Sequence, residues 1–591
     1  MKETKYYQSE SVLNSNKYGS SSALSQEQQL QQKRIRRMKW LFVLLLIFGY
    51  VVATLAQSGV KDIEVKAESV FEPTIKDAVK LSDLPEISDT VKKIANMQYP
   101  IVSKPLIAKY DVIPIEAAKM KNEPLSKLYR SLLKVGMGTY TTPYGEFWFN
   151  SLRTRDVAYG VHIKHLSSSS HLKHVGYSGY SDNEGEVYGK KFYKKHTLEG
   201  AFNYKRNVSH FYGYDTTENK LTKDYTKQRY QLFEPVVSLK SHYTDSTKLN
   251  HQITLGYYNL TDLYKVAENN VKLHALLNTF INKEQLFVAF NTDFYNHKLP
   301  NDTFNDIIVQ LNPYFEKRGK RWMVDMGVSA TMDAFSGRNS KFYFHPRLNG
   351  QFDIYEGIII PYVGINGNLQ KNSLRSFSTE NPFITSTLNY QNTNTKIKFT
   401  GGLKGNLSSK TSYDIKANYA LVDSMNFFVV DYTKNGTLDN QYKVIYDNTN
   451  FFNVSGQLKY QYKEKLHLLA KGNYYLYKTK NLTRAYHKPD FDITLTGQYN
   501  LKSKIIIKAD IFVIGNQFAY TKVDNGDFTY KYEPKLLKGI IDANLGAEYR
   551  YSKMLSFFVN FNNIANTRYY RWEKYPSQRF NVMAGLTFIP F

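Results

Sequence analysis

The sequence predicts an all-β protein, a transmembrane antiparallel β-barrel of about 22 strands (range about 18–24) that follows a short irregular N-terminal segment. Three observations support this fold class. Short segments alternate between apolar and polar residues along most of the chain, and their connections alternate between short turns and long polar loops. Tyr (49) and Phe (36) are abundant although the mean hydropathy is only −0.48. That combination is typical of strands in which only every second residue faces lipid.

Segment 491–513 shows the alternation most clearly. Parity places Leu495 and Ile511 on one face of a predicted hairpin and Asp492 and Lys508 on the other. In a soluble sandwich the apolar face would point to a core, whereas in a membrane barrel it meets lipid and the polar face lines a lumen. The regular alternation of turns and loops favours the barrel.

Turn length predicts which end of the barrel faces the periplasm. The predicted short turns, assigned to the periplasmic side, are Tyr243–Lys248, Asn282–Glu284, Glu316–Arg321, Tyr355–Gly357, Leu407–Thr411, Tyr462–Lys465, Leu501–Lys504 and Tyr551–Met554. The predicted external loops are 167–189, 371–394, 431–448 and 518–534. Tyrosines end several strands near the short turns and predict an aromatic girdle there: Tyr460, Tyr462, Tyr499, Tyr549 and Tyr551.

The composition excludes several classes of protein. The 591 residues include no cysteine, so disulfide frameworks, thiolate metal sites and a cysteine nucleophile are ruled out. The formal net charge is +26, but the lysines are scattered, and we therefore expect no nucleic-acid partner. The sequence has no phosphate-binding loop, serine-hydrolase elbow, zinc-protease helix or EF-hand motif. We predict a protein that is not an enzyme, with no cofactor and no metal site.

The long apolar run Trp40–Ala56 follows the basic stretch KRIRRMK. Small residues at the −3 and −1 positions before Gln57 predict a secretory signal that is cleaved after Ala56. The alternative is a membrane anchor, but the run is slightly shorter than the about 20 residues that a spanning helix needs. Since residues 1–37 are polar and make an unusually long prefix, we predict that translation starts at Met38.

Three regions follow: 1–56 is an extension with the signal peptide, 57–128 a periplasmic segment, and 129–591 the barrel. Segment 57–128 is repeatedly interrupted by proline, which argues against a compact sheet. We expect the lumen to be occluded in part, either by this segment or by loop 371–394.

Parity also predicts basic residues that face the lumen: Lys396, Lys398, Lys404, Lys416, Lys459, Lys471, Lys508 and Arg550. A lumen rich in lysine would favour anions. The alternative is that these residues pair with acidic residues of neighbouring strands, namely Asp414, Asp492, Asp510, Asp542 and Glu548.

The C-terminal segment 558–591 resembles the end of TonB-dependent receptor barrels, in which the penultimate strand carries an N-x-x-N-x-x-Y-Y-like stretch and the last strand closes on an aromatic residue. The residues that carry the resemblance are Asn563, Asn566, Tyr569, Tyr570, Trp572, Tyr575, Gly585 and Phe591. The resemblance implies a 22-stranded barrel in the outer membrane of a Gram-negative bacterium. That family carries an N-terminal plug larger than segment 57–128, so this chain looks like a relative without a plug.

Two functions are consistent with these features. The first is porin-like or receptor-like passage or binding of solutes across the outer membrane; the alternative is a non-transport barrel subunit of an outer-membrane assembly or secretion complex. Expected partners are outer-membrane lipid and lipopolysaccharide, the barrel assembly machinery during insertion, and proteins bound through 57–128 or the long loops.

The signal sequence gives a direct prediction. N-terminal sequencing of the mature protein should begin at Gln57, because the small residues before it form the cleavage site. A mature chain that retains Met1 or Met38 would contradict the prediction.

Overall fold

The computed structural model describes residues 128–282, 284–433, 438–524 and 530–590. Strands follow one another from Ser131 to Phe588. They are β1 (Ser131–Gly138), β2 (Thr142–Asn150), β3 (Val157–Ser168), β4 (Tyr180–Phe192), β5 (His196–His210), β6 (Lys227–Ser241), β7 (Asn250–Thr261), β8 (Ala267–Ile281), β9 (Glu284–Lys298), β10 (Thr303–Arg318), β11 (Trp322–Phe335), β12 (Lys341–Phe352), β13 (Ile360–Gln370), β14 (Thr393–Ser408), β15 (Thr411–Val430), β16 (Tyr442–Tyr462), β17 (Leu466–Thr479), β18 (Phe491–Leu501), β19 (Ile505–Ile514), β20 (Gln517–Asp524), β21 (Tyr530–Leu537), β22 (Ile540–Arg550), β23 (Leu555–Asn562), β24 (Tyr570–Trp572), β25 (Tyr575–Pro576) and β26 (Asn581–Phe588). A short helix, α1 (Leu374–Glu380), lies between β13 and β14.

The strands form one closed, 22-stranded antiparallel sheet, as the sequence predicts. Each barrel strand pairs with the next one along the chain, and β26 pairs with β1 to close the ring. Strands β20 and β21, and likewise β24 and β25, form separate two-stranded ribbons within connections between barrel strands. Closure satisfies the backbone groups of every barrel strand, which lipid cannot do for an open edge.

Two glycines allow the closing strands to pack closely. Gly136 of β1 lies opposite Gly585 of β26, and the ring of Phe558 from β23 covers both. A Cβ on Gly585 would lie 2.1 Å from the Val135 carbonyl oxygen and 2.5 Å from the Phe558 ring. The closing seam therefore depends on the absence of side chains at these positions.

All the predicted short turns lie at one end of the barrel, which also holds the end of β26; we call it the turn end. The predicted long loops all lie at the opposite, loop end. The longest connections thus all lie at the loop end, as expected for an outer-membrane barrel, although the connections β1–β2, β7–β8, β9–β10 and β11–β12 at that end are as short as the turns.

The bounds of three predicted loops were wrong. Strand β4 already begins at Tyr180 within predicted loop 167–189, and β16 begins at Tyr442 within 431–448. The predicted loop 518–534 contains β20 and the start of β21. The inward faces of β4 and β16 are rich in polar residues, so these strand segments resembled loops in the sequence.

The outer face of the barrel is apolar. Leu495 and Ile511 are cross-strand partners and are 39% and 40% exposed in the isolated chain, as parity predicts. Tyr499, Tyr549 and Tyr551 are also exposed, near the turn end. Exposed apolar side chains in this pattern form the band that lipid covers, with tyrosines at its boundary. Among the described residues, no helix has the length and apolar character needed to cross a membrane.

The two faces of β18 should respond differently to an added charge. Leu495→Arg should impair barrel assembly, because a basic residue at the lipid midplane costs about 2–4 kcal/mol. Thr494→Arg, one position away on the inward face, is the matched control and should be tolerated. The measurement is the fraction of chain with heat-modifiable electrophoretic mobility in purified outer membranes; equal loss in both variants would mean that the faces are assigned wrongly.

Candidate functional site: a loop folded into the lumen

Pairing registers place the predicted basic residues on the face opposite the apolar band. Lys396 is a special case, since it lies at a register shift between β14 and β15 near the loop end and pairs with Asp423 at 2.9 Å. Arg550 ends β22 at the turn end, 3.6 Å from Glu548. The remaining candidates have no carboxylate oxygen within 4.0 Å among the described residues. They are Lys398, Lys404, Lys416, Lys459, Lys471 and Lys508.

Most of the acidic residues considered as partners for these lysines bind other groups instead. Asp414 accepts a hydrogen bond from the Tyr362 hydroxyl at 2.5 Å, and Asp510 accepts one from Thr496 at 2.8 Å. Asp492 likewise accepts from an asparagine amide, at 2.9 Å. The ionic network considered as the alternative is therefore wrong for these carboxylates, because hydroxyl and amide donors on nearby strands are nearer than the ammonium groups.

Residues 371–392, which we call the lumen loop, join β13 to β14 and fold back against the inner wall. Their helix α1 starts with a capping box, in which the Ser373 side chain accepts from the Ser376 amide and the Ser376 side chain accepts from the Ser373 amide. Leu374 and Phe377 are 0% and 1% exposed. These buried side chains place the loop against the inner wall, and its occlusion of the lumen stays a prediction.

Glu268 on β8 anchors the start of α1. Its carboxylate accepts hydrogen bonds from the Leu374 amide at 2.6 Å and from the Arg375 amide at 3.3 Å. The same carboxylate accepts from the Tyr258 hydroxyl at 2.7 Å and lies 3.2 Å from Nδ1 of His297. A fully buried carboxylate needs such a set of donors, and here part of the set comes from the loop.

Glu234 on β6 holds the same helix from its side chain. Both of its oxygens accept from the Arg375 guanidinium, each at 2.9 Å, and Lys272 approaches at 3.0 Å. Two parallel hydrogen bonds fix the orientation of the guanidinium group and also pair its charge. The contact joins positions 141 residues apart in the chain.

The two ends of the lumen loop are held by β10 and β11. Lys371 pairs with Asp306, and Asn392 donates to Asp306 at 3.2 Å and to Asp333 at 3.1 Å. Because both ends and the helix are attached to the wall, the loop has a defined position across the mouth of the lumen.

Aromatic side chains pack around the loop at the loop end. Phe383 stacks on Tyr575 at a ring-centroid distance of 3.6 Å, and Trp572 lies edge-on to Tyr442 at 5.5 Å. The aromatic members of this cluster are Phe211, Tyr230, Tyr258, Tyr295, Phe377, Phe383, Tyr390, Phe428, Tyr442, Trp572 and Tyr575. Burial against these rings lowers the pKa of His487, in the loop between β17 and β18, to about 3, so the imidazole is neutral at physiological pH.

A cavity of about 660 Å³ lies between strands β4–β6 and the lumen loop. Charged groups from both sides line it, including Asp182 and Lys205 from the wall and Arg375 from the loop, together with His210 and Tyr212. Its volume is in the range of cavities that hold small solutes.

The family-like C-terminal residues lie elsewhere than expected. Strand β23 ends at Asn562, so Asn563 and Asn566 belong to the following loop and not to the penultimate strand, and Tyr570 begins β24. Both asparagines have positive φ, 49° and 53°, which a strand does not accommodate. Phe591 lies outside the described residues, as do the signal sequence and residues 57–127.

These residues organise the loop. The Asn563 side-chain amide donates to the carbonyls of Thr567 at 2.8 Å and Gln578 at 2.9 Å. Tyr569 donates to Asp542 on the wall at 2.7 Å. Their role in this structure is to position Trp572 and its neighbours in the aromatic cluster.

Sequence reasoning missed the carboxylates that hold the loop. Glu234 and Glu268 have the inward parity of β6 and β8, and that parity is readable in the sequence. No local sequence pattern reveals that Arg375 is their partner, because it lies more than 100 residues away along the chain.

No protein-family model matches this chain, and a search of curated proteins finds no similar sequence. Solved structures do match. The pyoverdine outer membrane receptor FpvA from Pseudomonas aeruginosa PAO1 is 11% identical, with a TM-score of 0.59 over 80% of this chain and 80% of that chain. The FrpB iron transporter from Neisseria meningitidis is 8% identical, with a TM-score of 0.61 over 78% of this chain and 82% of that one. The ferric-catecholate import receptor Fiu from K12 E. coli is 10% identical, with a TM-score of 0.57 over 78% and 82%.

At these identities the similarity concerns the fold. The chain shares a large closed barrel fold with these structures, which are named as outer-membrane or import receptors and an iron transporter, and its own barrel has 22 strands. A closed barrel with an apolar outer band and a polar inner wall is a protein of the bacterial outer membrane, as the sequence predicts.

Loss of the Glu234 carboxylate charge should loosen the lumen loop. In Glu234→Gln the bidentate pair with Arg375 is lost, and hydrogen bonds to charged groups contribute about 1.5–3 kcal/mol, so amide exchange in 374–381 should rise roughly ten- to hundredfold. Hydrogen exchange with mass spectrometry measures this.

Glu184→Gln is the matched control, since this inward glutamate pairs with Lys205 at 3.5 Å and makes no contact with the loop. Unchanged exchange in both variants would show that the Glu234 pair does not hold α1 in place.

Proposed function

We propose that this chain conducts or binds solutes across the outer membrane, with the lumen loop as its constriction. The observation that carries the proposal is the attachment of residues 371–392 to the inner wall through Glu234, Glu268 and Asp306. A loop that served only as external surface would have no need of buried ionic anchors inside the barrel.

The width of the barrel supports the same function. Wall side chains alone do not fill a lumen of 22 strands, so the interior holds either water or protein. The lumen loop fills part of the loop end, and the cavity of about 660 Å³ beside it offers a place for a solute.

Passage through this barrel is proposed to be passive. Energised transport in the family that the C-terminal segment resembles needs a plug, and segment 57–128 is shorter than that plug. We propose that this segment occludes the lumen in part from the periplasmic side. Deleting residues 60–120 should then raise conductance without abolishing insertion, and uptake should persist when the proton-motive force is removed.

The alternative, a barrel subunit of an assembly or secretion complex, differs in one observable. A pore conducts when reconstituted alone, whereas a scaffold subunit co-purifies with its partners and stays closed. The similar structures that are named as receptors and transporters support the first function for this fold.

Shortening the lumen loop should open the pore. We predict that replacing residues 373–391 by a short glycine–serine linker raises single-channel conductance in planar bilayers, because the constriction is removed and the anchoring carboxylates become free to bind water. The matched control shortens the exposed external loop 215–224, which contributes no residue to the aromatic cluster, and should leave conductance unchanged. Silent channels in the full chain and in both variants would contradict the proposed function.

A further inference from the structure

We infer that the inner wall formed by β14–β19 binds oxyanions, that is, solutes carrying carboxylate or phosphate groups. The inference rests on the proposed function in one respect, since it names the class of solute that this lumen would pass. We call the surface the lysine strip, and it consists of Lys398, Lys404, Lys416, Lys459, Lys471 and Lys508.

The strip lies on the solute's route between the lumen loop and the turn end. Apart from Lys398, its lysines occupy the half of their strands nearer the turn end, below the cluster that closes the loop end. Lys416 is half-buried, and Lys459, Lys471 and Lys508 are exposed within the wall. Their ammonium groups therefore face whatever fills the lumen.

Strand registers bring these lysines together in pairs. Lys404 lies opposite Asp414, and Lys416 is two residues further along that strand, so the two lysines are diagonal neighbours. In the same way Gln457 lies opposite Lys471, and Lys459 is two residues after Gln457 on β16. Lys459 and Lys471 are therefore diagonal neighbours. Diagonal neighbours lie about 7–8 Å apart, so two flexible lysine side chains can reach one anion between them.

The ammonium groups of the strip have no carboxylate partner within the described part of the protein. No carboxylate oxygen of a described residue lies within 4.0 Å of these ammonium groups, in contrast to Lys272 and Lys371, which pair with Glu234 and Asp306. The carboxylates that share the strip accept hydrogen bonds from hydroxyl groups instead, as Asp414 does from Tyr362. Lys404 Nζ also lies 5.3 Å from the centroid of the Tyr362 ring, and the strip as a whole is a set of neighbouring cations without carboxylate partners among the described residues.

Acidic residues of the opposite wall do not neutralise the strip. Glu184 and Glu186 face the lumen from β4, halfway around the ring from β15. Strands about 4.8 Å apart and tilted by about 40° make a 22-stranded barrel roughly 40 Å across. The screening length is about 8 Å at physiological salt, so each wall acts on solutes locally and the field across the lumen is negligible.

The chemistry of the strip selects oxyanions over other solutes. Ammonium groups repel cations and offer three donors each, and carboxylate or phosphate oxygens accept several such bonds at once. Gln457 and Gln498 on the same face add neutral amide donors. These positions present no apolar surface to an aliphatic solute.

The test compares two charge-matched double variants of the full-length protein in planar bilayers. Neutralising Lys459 and Lys471 (Lys459→Gln/Lys471→Gln) should lower the chloride-to-potassium permeability ratio, obtained from the reversal potential in a KCl gradient, by roughly twofold for each lysine. Lys164→Gln/Lys190→Gln removes the same net charge from the opposite wall, where Lys190 already pairs with Glu199 at 2.7 Å, and should change the ratio less. Equal changes in both variants, or none in either, overturn the inference.

A binding measurement separates this inference from the proposed function. Citrate binding to the detergent-solubilised full chain, measured by calorimetry, should be lost in Lys459→Gln/Lys471→Gln and kept in Lys164→Gln/Lys190→Gln. If the channel is silent but this pattern holds, the strip binds oxyanions and the transport proposal fails. If neither variant changes citrate binding, or the unaltered chain binds none, the strip is only a solvated surface and the inference fails. Heat-modifiable mobility of every variant confirms that the barrel has formed.

Discussion

Backbone hydrogen bonding in lipid is the constraint on which the rest of this structure depends. The hydrocarbon layer offers no partner for an unpaired N–H or C=O group, so the last strand must pair with the first. In this chain β26 closes on β1 along the register from Leu133–Phe588 to Gly138–Met583, with the Gly136–Gly585 pair letting Phe558 cover the seam. Closure fixes the parity of every strand, because a one-residue slip would turn a whole polar face towards lipid.

A ring of this size creates a second requirement, because its interior cannot be filled from the wall. The chain meets it at the loop end with a connection folded inward. Buried carboxylates on β6, β8 and β10 hold that connection. Glu234 and Glu268 accept from donors of the loop and of the wall, whereas the donors of Asp306, Lys371 and Asn392, both belong to the loop. Since a buried carboxylate without donors is strongly destabilising, loop and wall stabilise each other and the closed position is well defined.

The charges of the inner wall are divided between two uses. On β6, β8 and β10, Glu234, Glu268 and Asp306 hold the loop, and Lys272 is paired with Glu234. On β14–β19, the lysines have no carboxylate partner among the described residues, while the aspartates beside them bind tyrosine, threonine and asparagine side chains. The first arrangement favours a fixed structure and the second favours contact with a mobile charged solute. Net charge alone, +26 for the chain, does not distinguish them.

The sequence by itself determined the fold class, the strand number, the end of the barrel that carries short turns and the face of each strand that meets lipid. These follow from a period of two and from connection length, which are local properties; Leu495 and Ile511 were assigned correctly for this reason. Tertiary structure alone decided which charges pair. Arg375 meets Glu234 across 141 residues, and Asp414 meets Tyr362 instead of a lysine, because the curvature of the ring and the path of the lumen loop set those distances. The periodicity of residues within one strand carries no information about these distances.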